Sequence, residues 1–261
     1  MNEKYDRIGQ GYNDTRQADP YLLSRMQTLL HCPVGEQVLD IGCGTGNYTI
    51  ALAESGLSMI GVEPSEQMLA TASRNAEIDW RKGHAESLPL SDQSVARVLA
   101  SLTLHHWQDL KQGFAEVARV LKSSGRMLIF TATHEQMRGY WLNHYFPQML
   151  VDSIAQMPDW GDVVSAIETA GLKSLGTESY SVQDDLIDHF LYVGKNRPQL
   201  YLQAEIRRGI SSFADLAYQD EVQKGLEQLR ADITSGEWEA VRRQFTNAKG
   251  DYLFWLVEKP D

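Results

Sequence analysis

The chain has 261 residues, 43% of them hydrophobic and 23% charged, which is ordinary for a globular protein and enough for a large core plus an elaboration. Its formal net charge is −11, and residues 1–134 carry 12 basic and 15 acidic side chains against 12 and 20 over residues 135–261. No basic stripe is present to neutralise a polyphosphate, which argues against DNA or RNA as partner.

Cys32 and Cys43 form neither a metal spacing nor a disulfide framework, so no metal is expected. No run approaches the ~20 apolar residues of a membrane span, and Met1-Asn2-Glu3-Lys4 lacks an apolar stretch. The expectation is a cytoplasmic protein without a membrane partner.

Residues 1–30 are polar and aromatic and turn helical around Tyr21–Leu30, until Pro33-Val34-Gly35 breaks the pattern. Val38–Ile41 then reads as a strand, and Gly42-Cys43-Gly44-Thr45-Gly46 as a glycine turn into a helix over Asn47–Ser55. Further elements alternate: strand Met59–Val62, helix Ser65–Asn75, strand Ile78–Arg81 and strand Val95–Leu102. Leu110, Phe114, Val117, Ala118 and Leu121 line one face of a helix predicted over Leu110–Lys122. Ser124-Gly125 ends it before the strand Arg126–Phe130. Strands alternating with helices predict an α/β fold, a doubly wound and mainly parallel sheet whose ligands bind at the carboxyl ends of the strands.

Beyond residue 134 the pattern changes. Tyr140, Trp141, His144, Tyr145 and Phe146 crowd the stretch Glu135–Met157. They suit either a core of their own or a surface for a flat organic molecule. Asp159 caps a predicted helix ending at Gly171, Leu172–Tyr180 reads as a strand, and residues 181–250 read as mostly helical, broken at Pro198 and Gly209. Tyr252–Val257 is a last strand.

Two features carry chemistry. Glycines at alternate positions let a backbone approach a ligand closely, and the following helix points free N–H groups at whatever lies over the turn. The spacing is G-x-G-x-G, and Asn47 stands where a dinucleotide fingerprint has its third glycine. Glu63 ends the second strand, where an acid can accept both hydroxyls of a ribose.

At these residues the chain resembles the class I S-adenosylmethionine-dependent methyltransferases, in the small-molecule branch related to the ubiquinone and menaquinone methylases. The resemblance implies a seven-stranded sheet in which the seventh strand inserts antiparallel between the fifth and sixth. About 70 residues intervene here between those last two strands, too many for a simple loop. They are read as a helical lid. The expected organisation is a helical cap at 1–30, a cofactor-binding core at 31–180, a lid and substrate region at 181–250, and the last core strand at 251–261.

The implied cofactor is S-adenosyl-L-methionine, with S-adenosyl-L-homocysteine as product. Its expected binding residues are Gly42, Cys43 and Gly44 of the turn, Glu63 at the ribose, and Met68 against the base. His84 and Ala85 fall in the segment that embraces the adenine in the family, and Ser101 follows the fourth strand beside the methionine portion. An acid commonly stands in the place of His84, and a histidine can replace it only as a neutral acceptor. Tyr12 and Arg16 resemble a cap that closes over the cofactor, Arg16 clamping its carboxylate with a two-pronged pair of hydrogen bonds. Met68 and Glu86 also fit a bland reading as core and surface residues.

His105 and His106 are the candidate catalytic residues. Either is able to remove a substrate proton near neutrality, and either is able to be simply packed. Adjacent histidines rarely point at one ion, and no ligand cluster accompanies them. The acceptor is expected to be a small organic molecule, with an aromatic one among the candidates. Its reacting atom and the oligomeric state stay open. Two rival readings are a non-catalytic S-adenosylmethionine-binding regulator and a nicotinamide-dependent oxidoreductase. Asn47 weighs against the oxidoreductase and the aromatic lid against the regulator.

Overall fold

In the computed structural model of the protein, the described residues are 15–73, 75, 77–245 and 247–261. A first helix, α1 (Pro20–Leu30), is capped by Asp19, whose carboxylate accepts the N–H groups of Tyr21 and Leu22, and Pro20 sits at its first position. Leu22, Met26 and Leu30 recur every four residues and are wholly buried. The helix stops at His31, which turns left-handed (φ 38°). Arg97, inside the sheet, donates to the carbonyls of Leu30 and His31 and so satisfies two orphaned helix-end acceptors.

The alternation then runs as predicted: β1 (Gln37–Ile41), α2 (Asn47–Glu54), β2 (Ser58–Glu63), α3 (Glu66–Ala72), β3 (Asp79–Lys82), β4 (Val95–Ser101), α4 (Leu110–Val120) and β5 (Leu121–Thr131). The predicted helix ran to Lys122, whereas α4 ends at Val120. Its last carbonyls, Arg119 and Val120, are taken by the N–H groups of Gln93 and Ser94 on the chain entering β4. Leu121 already pairs with Val95, so a tertiary contact stops this helix before its own glycine does.

After β5 come α5 (His134–Arg138), α6 (Leu142–Tyr145), α7 (Pro147–Gln156), α8 (Trp160–Thr169) and β6 (Lys173–Tyr180). A turn-rich stretch leads to a 3-10 turn at Pro198–Leu202, then α9 (Ala204–Arg208), a π turn at Ser212–Leu216, α10 (Gln219–Ser235), α11 (Trp238–Gln244) and β7 (Tyr252–Glu258). The sheet has seven strands in the order β3-β2-β1-β4-β5-β7-β6. Neighbours from β3 to β5 are parallel, and β7 runs antiparallel to both β5 and β6. The fold is thus a doubly wound, Rossmann-like α/β sheet with an added helical layer.

Period-two alternation divides the core. Leu39, Ile41, Ile60, Val62, Val98 and Ile129 face α4 and α8 through Phe114, Val117 and Ile167. Val38, Leu99, Leu128 and Phe130 face the other way, toward α1 and the helical layer. That layer has an aromatic centre: Tyr140 stacks on Tyr192 at 4.0 Å, and Trp141 meets the rings of Tyr201 and Trp238 edge-on. Of the residues left open between core and ligand surface, Trp141, Tyr145 and Phe146 are core and Tyr140 is core with one edge on a cavity. Among the described residues no helix is long and apolar enough to cross a membrane.

Candidate active site

The carboxyl ends of β1, β2 and β4 converge on a cleft of about 840 Å³, mouth included. The glycine turn is pinned to β2, because the N–H groups of Gly42 and Cys43 both donate to the carbonyl of Val62, at 2.8 and 3.2 Å. Gly42 has φ +70°, and a Cβ there would lie 2.1 Å from Thr103 Oγ1. Gly44 has φ +58°, and a Cβ there would approach only Met68 Sδ, at 3.9 Å. Gly42 is glycine because the fold leaves no room; Gly44 keeps backbone exposed to the cleft.

Glu63 closes β2 and braces the turn. Its Oε2 accepts the N–H of Gly44 at 3.0 Å, and its Oε1 accepts that of Ser65 at 2.9 Å. A carboxylate has about four acceptor positions, so two remain for a ligand. The group is 5% exposed; burial raises its pKa, opposed by the two backbone hydrogen bonds and by His84 nearby. Asp40, buried in β1, accepts a 2.7 Å hydrogen bond from Thr49 Oγ1. Burial pushes its carboxyl up to about 7, Thr49 pulls it down, and the charge of Glu63 adds to the rise. Thr45 Oγ1 is buried at the cleft and finds no hydrogen-bond partner among the described residues.

A second cavity of about 820 Å³, mouth included, lies beneath the helical layer. Ala132, Met137, Tyr140, Met157, Phe190 and Ile210 give it apolar walls, and Ser153, Gln156 and Ser212 add polar points. Arg16, Leu102 and His106 line both cavities and so mark the seam between them. Leu102 adopts a left-handed backbone (φ 51°), uncommon for a bulky side chain, while its N–H donates to Phe130 O at 2.8 Å. His105 and His106 sit in a 3-10 turn just beyond, with ring centroids 3.8 Å apart.

Residues 39–129 match the methyltransferase-domain family. A crystal structure from Anabaena variabilis, described as a methyltransferase from an antibiotic biosynthesis pathway, is 35% identical; the match covers 94% of this chain and 98% of that one, with a TM-score of 0.82. The chain belongs to the class I methyltransferases. An uncharacterized methyltransferase of Bacillus subtilis is 32% identical over 48% of this chain and 47% of its own length. The ubiquinone/menaquinone biosynthesis C-methyltransferase of Rubrivivax gelatinosus is 30% identical over 54% of this chain and 64% of its own. The chain thus spans about half to two thirds of these two curated relatives.

In this chain Arg16, Gly42, Cys43, Gly44, Glu63, Met68, Ser101 and His106 all line the first cavity. Tyr12 lies outside the described residues. His84 and Ala85 are not on the cavity wall: His84 bridges to Ser87 in a tight turn after β3, and Ala85 is buried in the core behind it. His105 lines the second cavity only, of the two. The side chain of Glu86 is turned to α4, accepting the N–H groups of Gln108 and Asp109.

Sequence reasoning passed over Asp40, Thr45, Tyr48 and Asp188 as site residues, although all four line the first cavity. Asp40 and Thr45 lie inside the motif itself and were open to notice. Asp188 sits in an irregular stretch 125 positions beyond Glu63 and carries no local signal.

Proposed function

We propose that this chain transfers a methyl group from S-adenosylmethionine to a small organic acceptor and releases S-adenosylhomocysteine. One observation carries the reading: the two cavities meet at Arg16, Leu102 and His106, which gives a donor and an acceptor adjoining seats with a shared wall. The first cavity fits the cofactor by its chemistry. Glu63 has two acceptor positions left for ribose hydroxyls, the backbone at Gly44 is open to the cleft, and Thr45 Oγ1 offers a buried hydroxyl. Met68 supplies an apolar surface for the base, and Arg16 a guanidinium for the carboxylate.

When bound, the cofactor supplies an electrophilic methyl group already activated by its sulfonium. The protein's part is alignment and the exclusion of water. The helical layer covers the second cavity, and its apolar walls select an uncharged or weakly polar ligand. Among the described residues Arg16 is the only lysine or arginine lining it, which speaks against an acceptor carrying several phosphates. The Rubrivivax relative, named for a quinone C-methyltransferase, supports a ring-bearing acceptor. His106, which lines both cavities, is the base proposed to take a proton from such an acceptor, and His105 stands beside it.

The test is incubation of the protein with methyl-labelled S-adenosylmethionine and a bacterial metabolite extract, read by mass spectrometry. A small molecule gaining one labelled methyl, together with S-adenosylhomocysteine, is the expected outcome. Calorimetric binding of S-adenosylhomocysteine with no labelled product from any extract would favour the regulatory reading instead.

A further inference from the structure

The stretch between β6 and the 3-10 turn at Pro198–Leu202 reaches back to the first cavity through Asp188. Its carboxylate is 1% exposed and yet lines the first cavity. Arg16 donates to it with two donors of one edge of the guanidinium, Nε to Oδ1 and Nη2 to Oδ2. The Tyr48 hydroxyl donates to Oδ2 at 3.1 Å. Around this point the backbone is laced together. Asn47 Nδ2 donates to Arg16 O at 2.8 Å, the His189 N–H to Thr15 O at 3.0 Å, and the Ile187 N–H to Asp19 Oδ2 at 3.2 Å.

Three separate segments therefore meet here: residues 15–19 before α1, the first turn of α2, and residues 187–189. Glu63, Pro64 and Met68 occupy the β2–α3 side of the cavity, while Arg16, Asn47, Tyr48 and Asp188 occupy the α2 side. Ribose recognition on the first side leaves the amino-acid end of the cofactor for the second. A guanidinium recognises a carboxylate well only when its plane is fixed, since the pairing is planar and two-pronged. A long side chain with many rotamers does not hold such a plane by itself. A buried carboxylate gripping one edge of the fork does hold it.

We propose that Asp188 is the positioning residue for the amino-acid end of the cofactor. It acts through Arg16 and Tyr48, so that recognition of that end depends on a residue supplied from beyond β6. The inference rests on the cofactor reading given above. It predicts a selective defect: ligands that carry the amino-acid tail suffer from the loss of Asp188, and ligands that lack it do not.

The experiment is calorimetry with two probes, S-adenosylhomocysteine and 5′-methylthioadenosine, which keeps the nucleoside and lacks the amino-acid tail. Wild type, Asp188→Asn and Tyr48→Phe are compared, with thermal melting to show that each is folded. Asp188→Asn is expected to weaken S-adenosylhomocysteine by ~10-fold or more, the scale of one charge-assisted hydrogen bond, and to leave methylthioadenosine within about twofold. Tyr48→Phe should show the same selective pattern at roughly a third of that loss or less, as fits one neutral donor. Equal weakening of both probes by Asp188→Asn would mean a merely structural role and would overturn the inference, as would no change in either. Should Asp188→Asn fail to fold, an unaltered probe ratio in Tyr48→Phe overturns it. A wild type that binds neither probe brings down the cofactor reading and this inference together; a wild type that binds both, with the ratio kept in Asp188→Asn, brings down this inference alone.

Discussion

Replacing Glu63 by glutamine probes the brace and the ribose seat at once. The side chain keeps its shape but exchanges one carboxylate oxygen for an NH2 group. In the native site both oxygens accept backbone N–H groups, from Gly44 at 3.0 Å and Ser65 at 2.9 Å. Glutamine can serve only one of them, and its NH2 must then face the other N–H, donor against donor. Losing a hydrogen bond to a charged group costs about 1.5–3 kcal/mol. Part of that is offset, because a 5% exposed carboxylate no longer has to be kept out of water. A net loss of ~1–2 kcal/mol corresponds to a melting temperature lower by roughly 2–8 °C for a chain of this size. The ligand sees a second loss, since the acceptor positions offered to the ribose hydroxyls are fewer and uncharged. S-adenosylhomocysteine is expected to bind about 10–100-fold more weakly. Differential scanning calorimetry without ligand and titration calorimetry with it separate the two effects. A lowered melting temperature with unchanged affinity would reduce Glu63 to a brace for the turn. Unchanged values of both would refute the argument from the hydrogen bonds themselves.

Gly42→Ala must resolve both φ +70° and a Cβ 2.1 Å from Thr103 Oγ1, at a cost of about 2–5 kcal/mol in urea denaturation. Adding Thr103→Ala should recover the steric part only. His106→Ala should lower turnover ~10²-fold on whichever acceptor the labelling assay identifies while cofactor binding persists, and His105→Ala should do less; normal turnover in His106→Ala would return it to a packing role. Asp40 gives a pH signature. Its folded pKa of about 7 exceeds the unfolded value of about 3.9, so the native state binds the extra proton between those limits. Its contribution to stability is therefore full at low pH and falls as pH rises from ~4 to ~7, with no further change above. Asp40→Asn, which keeps an oxygen for Thr49, should flatten that fall in denaturation curves taken across the window; an identical slope would assign it to other groups.

The alternating half of the chain was legible because β1, β2 and β4 are buried along nearly their whole length and the helices between the strands turn an apolar face to the sheet, so residues 38–130 announce their own period. The first cavity was legible for the same reason: Gly42, Gly44, Glu63 and Met68 follow local geometry along adjacent strands. Less was legible wherever a long-range contact decides. Leu121 sits in a helical period but is claimed by Val95. His84 and Ala85 occupy the expected segment, yet its tight turn sends one to a bridge with Ser87 and the other into the core. The aromatics from Tyr140 to Phe146 have the composition of a ligand surface, and only their partners Tyr192, Tyr201, Phe213 and Trp238, all more than 45 positions away, reveal a core. Asp188 has no periodic neighbourhood, and its importance exists only in three dimensions.

The place of β7 has a consequence for how the chain is made. It lies between β5 and β6 in space but follows β6 by about 70 residues. As the nascent polypeptide leaves the ribosome at ~5–20 residues per second, β6 therefore waits on the order of 4–14 seconds for the strand that will pair with it. During that interval one edge of β5 stays unpaired and β6 has no strand to pair with, so the aromatic helices gather over an unfinished floor. Phe254 and Trp255, which complete the two faces of that floor, arrive last. Closure of the sheet is thus timed to follow collapse of the layer above it. The vulnerable species in synthesis is one in which the outer edge of β5 is still unpaired, an exposed edge on which a β-strand from another nascent chain is able to dock.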